Sequence, residues 1–206
     1  MVLNDKRNLI LDSLETLLEE KKLQNISVSD IAQKANISKG SIYYYYPSKD
    51  AILNALIERS YKMPLETAKQ LANQSGIPLF TRIAMLFQSC CSVSATFIRE
   101  NRTQEVASIQ EKTYIHQKYT NYMIKKLKPE LAAMIKQGIE LGEIHFDNPE
   151  ALAEIVLIVL VIKLDNTLIP SSEKEIKNTL NGLISLLEKG AGIPAGTLQY
   201  LSSPKS

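Results

Sequence analysis

The 206-residue chain holds only two cysteines and two histidines, and each scarcity closes off a class of chemistry. Cys90 and Cys91 are adjacent, a placement poorly suited to an unstrained disulfide, so a reducing compartment is expected. No cationic cluster lies beside either thiol in sequence, which favours a buried structural pair over an oxidant sensor. His116 and His145 stand alone, and no group of residues has metal-ligand spacing. A nucleophile motif with its partners and a glycine-rich phosphate loop are also missing, so neither an enzyme nor a cofactor is expected. Long apolar runs are lacking as well. The most apolar stretch, Ala151 to Leu164, is interrupted by Glu154 and Lys163 and is too short to span a bilayer. Met1 to Arg7 leads directly into a charged amphipathic segment without the apolar core of a signal peptide. A cytoplasmic protein with no membrane partner is the expectation.

What the chain does contain is helical periodicity. Hydrophobic residues make up 45% and charged residues 22%, proportions that argue for a packed globular protein and against disorder. Leu11, Leu14 and Leu18 recur at helical spacing in a first helix ending near Lys22. Ser27 and Asp30 form a capping box for a second helix, Asn36 suits a left-handed cap, and Ser38 caps a third helix that Pro47 limits. Ser48 caps a fourth, which Pro64 is expected to kink or end. Longer helices follow, at about 78–99, 103–110, 113–141 with a bend at Pro129, 149–168 and 173–189. The expected fold is therefore all-α, with a domain at 1–60, a larger helical domain at 61–190 and an irregular tail at 191–206.

The third helix carries an unusual run, Tyr43-Tyr44-Tyr45-Tyr46. Four consecutive tyrosines distribute around a helix, so at least two must face outward. Two short helices joined by a tight turn and packed on a longer one form a helix-turn-helix, with the third helix as the reading element. Helical projection turns Ile42 and Tyr46 inward, and Gly40, Ser41, Tyr44 and Tyr45 outward, with Lys39 and Tyr43 on the flank. That residue set suits DNA: glycine allows close backbone approach, Lys39 reaches a guanine edge or a phosphate, and Ser41 and the tyrosine hydroxyls donate to phosphate. Lys49, at the start of the fourth helix, is expected on another phosphate.

Ser27-Val28-Ser29-Asp30-Ile31-Ala32 and the stretch from Ile37 to Lys49 closely resemble the DNA-binding domain of TetR-family transcriptional regulators, over roughly Lys6 to Ile57. The resemblance implies that Ser29, Lys39, Gly40 and Ser41 face bases or nearby phosphates. It also implies that Tyr43, Tyr44, Tyr45 and Lys49 contact chiefly phosphate and that Tyr46 packs inward. Three positions depart from the common family residues: Asn36 where glycine is usual, Tyr45 where histidine is usual, and Tyr46 where phenylalanine is usual. They bear on specificity and not on the fold. Charge runs against expectation, since residues 1–60 hold eight Lys or Arg and eight Asp or Glu and so carry no net charge. Lys6, Arg7, Lys39 and Lys49 are then left to supply a locally positive face, and a dimer must supply much of the affinity.

For the remainder, the family resemblance implies a small-molecule effector site and dimerisation through the last two helices. Leu152, Ile155, Val159 and Ile162, with Leu180, Leu183, Ile184 and Leu187, form stripes expected at a homodimer interface. Phe87, Phe97, Tyr114, Tyr119, Met123 and Met134 are expected to line an apolar effector pocket. The leading expectation is a repressor that binds a palindromic double-stranded DNA operator as a dimer and is released by a small molecule. The alternative is a protein of the same fold that acts architecturally or through a protein partner.

Overall fold

A computed structural model describes residues 2–74, 76–87, 109–166 and 168–202 of the chain. Every regular element among them is helical: α1 (Val2–Glu20), α2 (Val28–Lys34), α3 (Lys39–Tyr45), α4 (Lys49–Ser60), α5 (Lys62–Ala72), α6 (79–87), α7 (Ile109–Glu140), α8 (Pro149–Asp165) and α9 (Glu173–Gly190), with short 3-10 turns at Leu23–Asn25 and Gln199–Ser202. They divide into two compact units. The first holds α1 to α4 with α7 as far as Lys118, and the second holds α5, α6, α7 from Tyr119, α8, α9 and the carboxy-terminal turn.

Local chemistry sets the boundaries in the first unit. The Ser27 hydroxyl accepts from the Asp30 amide while the Asp30 carboxylate accepts from the Ser27 amide, closing the capping box that starts α2. Asn36 takes a left-handed conformation at φ 51° and turns the chain towards α3. The Ser38 and Ser48 hydroxyls accept from Ser41 and Ala51 amides at the starts of α3 and α4. Tyr46 leaves the helical region just before Pro47, as steric conflict with the proline ring requires. α1 packs on α2 and α4, and α2 on α3. Ile10, Leu14, Ile31, Ile42, Ile52 and Leu53 fill the shared core, each almost wholly removed from water.

In the second unit, Pro64 neither kinks nor ends α4, contrary to expectation. α4 stops at Ser60 with the buried Tyr61 as its C-cap, and Pro64 lies in the first turn of α5, where its missing amide costs no helical hydrogen bond. α7 starts earlier than the expected 113 and continues through Pro129 as one element. Most of the expected helix at 103–110, and the part of the preceding helix beyond residue 87, lie outside the described residues. α7 ends in a turn where the Glu143 and Ile144 amides both donate to the Gly138 carbonyl and Gly142 adopts φ 74°. α8 packs on α9, and α9 on the final 3-10 turn.

The segment after α9, expected to be irregular or frayed, is irregular apart from the 3-10 turn, but up to Ser202 it is docked and not frayed. Ile193, Leu198 and Leu201 are buried, Gly192 and Gly196 supply positive-φ turns, and the Gly196 amide donates to Glu188 at 2.8 Å. Three apolar side chains within nine residues give this segment enough buried surface to stay docked. Among the described residues, no helix is long and apolar enough to cross a membrane.

Candidate nucleic-acid interface

Helix α3 presents its tyrosines unequally. Ile42 is fully buried and Tyr46 is 8% exposed, so together they fix the helix to its own unit. Tyr44 is 76% exposed and Tyr43 49% exposed, while Tyr45 is half-buried. Ser29, Lys39 and Gly40 are exposed and Ser41 is partly so, with its hydroxyl 2.9 Å from that of Ser38. Nothing but the Ser38 hydroxyl, at 3.9 Å, would meet a β-carbon built at Gly40, so this surface lets another backbone come close. Burial pushes the Tyr46 phenol above its ordinary pKa, against an opposing pull from the nearby Arg7 and Arg59 cations.

The aromatic rings on α3 are not isolated. Tyr44 and Tyr45 pack edge to face with centroids 5.0 Å apart. The Lys39 ammonium lies 6.0 Å from the Tyr43 ring centroid, and the Arg7 guanidinium lies at the same distance from that of Tyr45. Tyr45 was expected to face the duplex in the same way as Tyr44. Its half-burial and its two ring contacts separate it from its neighbour.

Lys49 departs from its expected role as a phosphate ligand. Its ammonium donates to the carbonyls of Leu23 and Ile26, both at 2.7 Å, and so ties the start of α4 to the turn between α1 and α2. Other cations are engaged as well. Lys21 pairs with Asp30 at 2.9 Å, Lys34 with Glu20 at 2.6 Å, and Arg59 bridges Asp12 at 2.5 Å and Glu15 at 2.8 Å. The acidic residues of α1 thus neutralise basic partners within the unit. Asp50, next to Lys49, accepts hydrogen bonds from Tyr114 and Lys118 of α7, and these hold its carboxyl below the ordinary carboxylate pKa.

That contact also corrects an expectation for the effector pocket. Tyr114 is 43% exposed and its hydroxyl is committed to Asp50. Phe87, Tyr119, Met123 and Met134 are buried in the second unit, the last three along one face of α7. Phe97, like Cys90 and Cys91, lies outside the described residues. Periodicity identified buried positions here without identifying what buries them.

The expected interface stripes divide in the same way. Leu152, Leu180, Leu183, Ile184 and Leu187 are buried inside this chain's own core and have little surface left for a partner. Ile155 remains 52% exposed, and Val159 and Ile162 are half-exposed. Ile158, another apolar residue of the α8 run, is 40% exposed, and Leu186, at 72%, is an exposed apolar residue that the α9 stripe did not select. The signal for Leu186 was present as an apolar residue just off the buried α9 stripe.

Comparison with known proteins agrees with this geometry. Residues 10–56 match the model of the family described as bacterial regulatory proteins, tetR family. The transcriptional regulator EthR of Mycobacterium tuberculosis is 45% identical over 56 residues, which span 27% of this chain and 26% of that protein. The chain therefore matches about a quarter of the length of that relative. Likeness of fold extends further. SmeT, the repressor of the multidrug efflux pump SmeDEF of Stenotrophomonas maltophilia, aligns over 93% of this chain and 92% of its own with TM-score 0.64 at 13% identity. A TetR/AcrR-family regulator from Thermobifida fusca aligns over 90% and 98% with TM-score 0.57 at 20% identity.

Proposed function

This chain belongs to the TetR family of bacterial regulatory proteins, and from that membership we propose a ligand-responsive regulator of transcription that binds an operator in double-stranded DNA as a homodimer. The observation that carries the proposal is the division of α3. Ile42 and Tyr46 anchor the helix while Lys39, Gly40, Tyr43 and Tyr44 stay open to a groove. Ser29, at the start of α2, and Ser41 add donors of the kind that set register on phosphates.

A homodimer is supported by the outward apolar residues of α8 and α9, chiefly Ile155, Ile158 and Leu186. Two copies meeting through α8 and α9 would bury these residues in an isologous four-helix arrangement, and a palindromic operator would match its two-fold axis. A small-molecule effector lodged near Phe87, Tyr119, Met123 and Met134 would act by favouring a conformation in which the two reading helices no longer fit successive grooves. Repression relieved by the effector is the regulatory sense proposed.

Selection of bound duplexes from a random pool tests the reading, with the enriched sequence expected to be palindromic. Failure to enrich any sequence above the starting pool would sink the proposal. Sedimentation of an Ile155→Glu, Leu186→Glu variant tests the dimer. It is expected to give a folded monomer with much weaker operator binding, and an unchanged dimer would remove α8 and α9 from the interface.

A further inference from the structure

We propose that Arg7 is a DNA-phosphate ligand held beside the reading helix by the ring of Tyr45, so that Tyr45 acts as a positioning residue and not as a contact in its own right. The inference rests on the DNA-binding reading above. It begins with the contacts of six of the eight Lys and Arg residues in 1–60. Lys21, Lys34 and Arg59 are taken up by carboxylates, and Lys49 by two backbone carbonyls. Arg7 and Lys39 meet no carboxylate among the described residues, and each instead lies 6.0 Å from the ring centroid of a tyrosine of α3. These two cations therefore lie against aromatic rings of the reading helix.

The type of contact decides what Arg7 can still do. A guanidinium over a ring uses its π face, while its five N–H groups lie in its own plane and remain free to donate. That plane matches a phosphate in bidentate geometry, which a guanidinium already spent on a carboxylate could not offer. The ring beneath it is itself constrained. Tyr45 meets Tyr44 edge to face and is followed directly by the buried Tyr46, so the platform is fixed at its neighbour and along its backbone. Half-burial of Tyr45, against 76% exposure of Tyr44, fits a ring occupied by its neighbours and not by a groove. Arg7 also acts electrostatically on the Tyr46 phenol, which agrees with its placement against α3.

Binding of the full-length protein to a mixed-sequence duplex of about 40 base pairs, followed by fluorescence anisotropy over a series of salt concentrations, isolates the phosphate component. Arg7→Ala is expected to reduce the slope of log affinity against log salt by about two units per bound homodimer, about one from each copy. Tyr45→Phe keeps the ring and should match the wild type within about twofold, a negligible energy on the tenfold-per-1.4-kcal scale. Tyr45→Leu should lose as much as Arg7→Ala, and the double variant should lose no more than either. An unchanged slope in Arg7→Ala would overturn the proposal. So would a loss in Tyr45→Phe as large as in Tyr45→Leu, because the hydroxyl would then be the contact. If Tyr45→Leu does not fold, Arg7→Ala and Tyr45→Phe still decide the matter, since Arg7 is exposed and Phe preserves the ring. A wild-type protein that binds no duplex would remove the DNA-binding reading itself, a result distinct from normal wild-type binding with an unaffected Arg7→Ala slope.

Discussion

The ammonium of Lys49 donates to the carbonyl of Leu23 at 2.7 Å, across 26 residues of sequence, and to that of Ile26 at the same distance. A residue placed by sequence among the phosphate ligands thus serves as a clasp between the turn after α1 and the first turn of α4. Replacement by methionine keeps the aliphatic stem and removes the donor, leaving two carbonyls without this partner. Lys49→Met is expected to destabilise the fold by about 1.5–3 kcal/mol, the range for hydrogen bonds from a charged group. Urea denaturation measures the loss. A stability equal to wild type together with a reduced salt slope for DNA would return Lys49 to the phosphates.

Tyr46 and Tyr44 should respond oppositely to truncation. Tyr46 is 8% exposed and anchors α3, so Tyr46→Ala is expected to cost about 3–5 kcal/mol of stability. Tyr44 is 76% exposed, so Tyr44→Ala should leave the denaturation midpoint nearly unchanged and weaken operator binding. Paired denaturation and anisotropy measurements separate the two. The reverse pattern would mean that α3 is turned the other way.

Acid should weaken the second helix's cap in a defined direction. Hydrogen bonds from the Ser27 hydroxyl and amide and from Lys21 hold the Asp30 carboxyl well below the usual carboxylate range. A carboxyl whose folded pKa is depressed adds stability above its unfolded value, about 3.9, and loses it as pH falls towards the folded value. Asp30→Asn is therefore expected to lower the melting temperature at pH 7, with the gap to wild type narrowing once the pH drops below about 4. Thermal melts across pH 2 to 7 or so follow the convergence. A gap of constant size throughout would show that ionisation of Asp30 contributes nothing.

Gly138 sits where a side chain has no room. A β-carbon there would approach Leu79 Cδ2 at 2.6 Å and Ile144 Cδ1 at 2.7 Å, both on buried residues. Gly138→Ala removes a helix-weakening glycine from α7, which by propensity alone would stabilise by up to about 1 kcal/mol. Overpacking opposes it at about 1–3 kcal/mol and is expected to win, because both neighbours are enclosed. A calorimetric melt decides the sign, and a higher Tm would mean that Leu79 and Ile144 move aside freely.

The parts of this fold that were legible in sequence are those whose cause is local. Ser27 with Asp30, Asn36, Ser38, and Ser48 after Pro47 each act within a few residues, and each marks the boundary that its chemistry implies. Pro64 misled because proline suits the first turn of a helix as well as it ends one, and the true break at Tyr61 carries no breaker residue. At the site, helical projection separated Tyr46 from Tyr44 correctly. It could not reveal that Lys49 would find Leu23 and Ile26, or that Arg7 would lie over Tyr45, since both partners arrive only when α1 and its following turn pack against α3 and α4. On α9, the period exposed a buried face at Leu180, Leu183, Ile184 and Leu187 but not whether its cover came from the same chain or a second one.

The internal pairing of Lys21, Lys34 and Arg59 bears on how such a regulator spends its time in a cell. Attraction to arbitrary DNA comes almost wholly from cations that displace counterions, and a chromosome offers on the order of 10⁶ or more competing positions. A reader whose basic side chains are already occupied at home is held only briefly at each of them. Fewer molecules are then sequestered away from the intended site, and a small pool can keep that site filled while remaining quick to redistribute when conditions change.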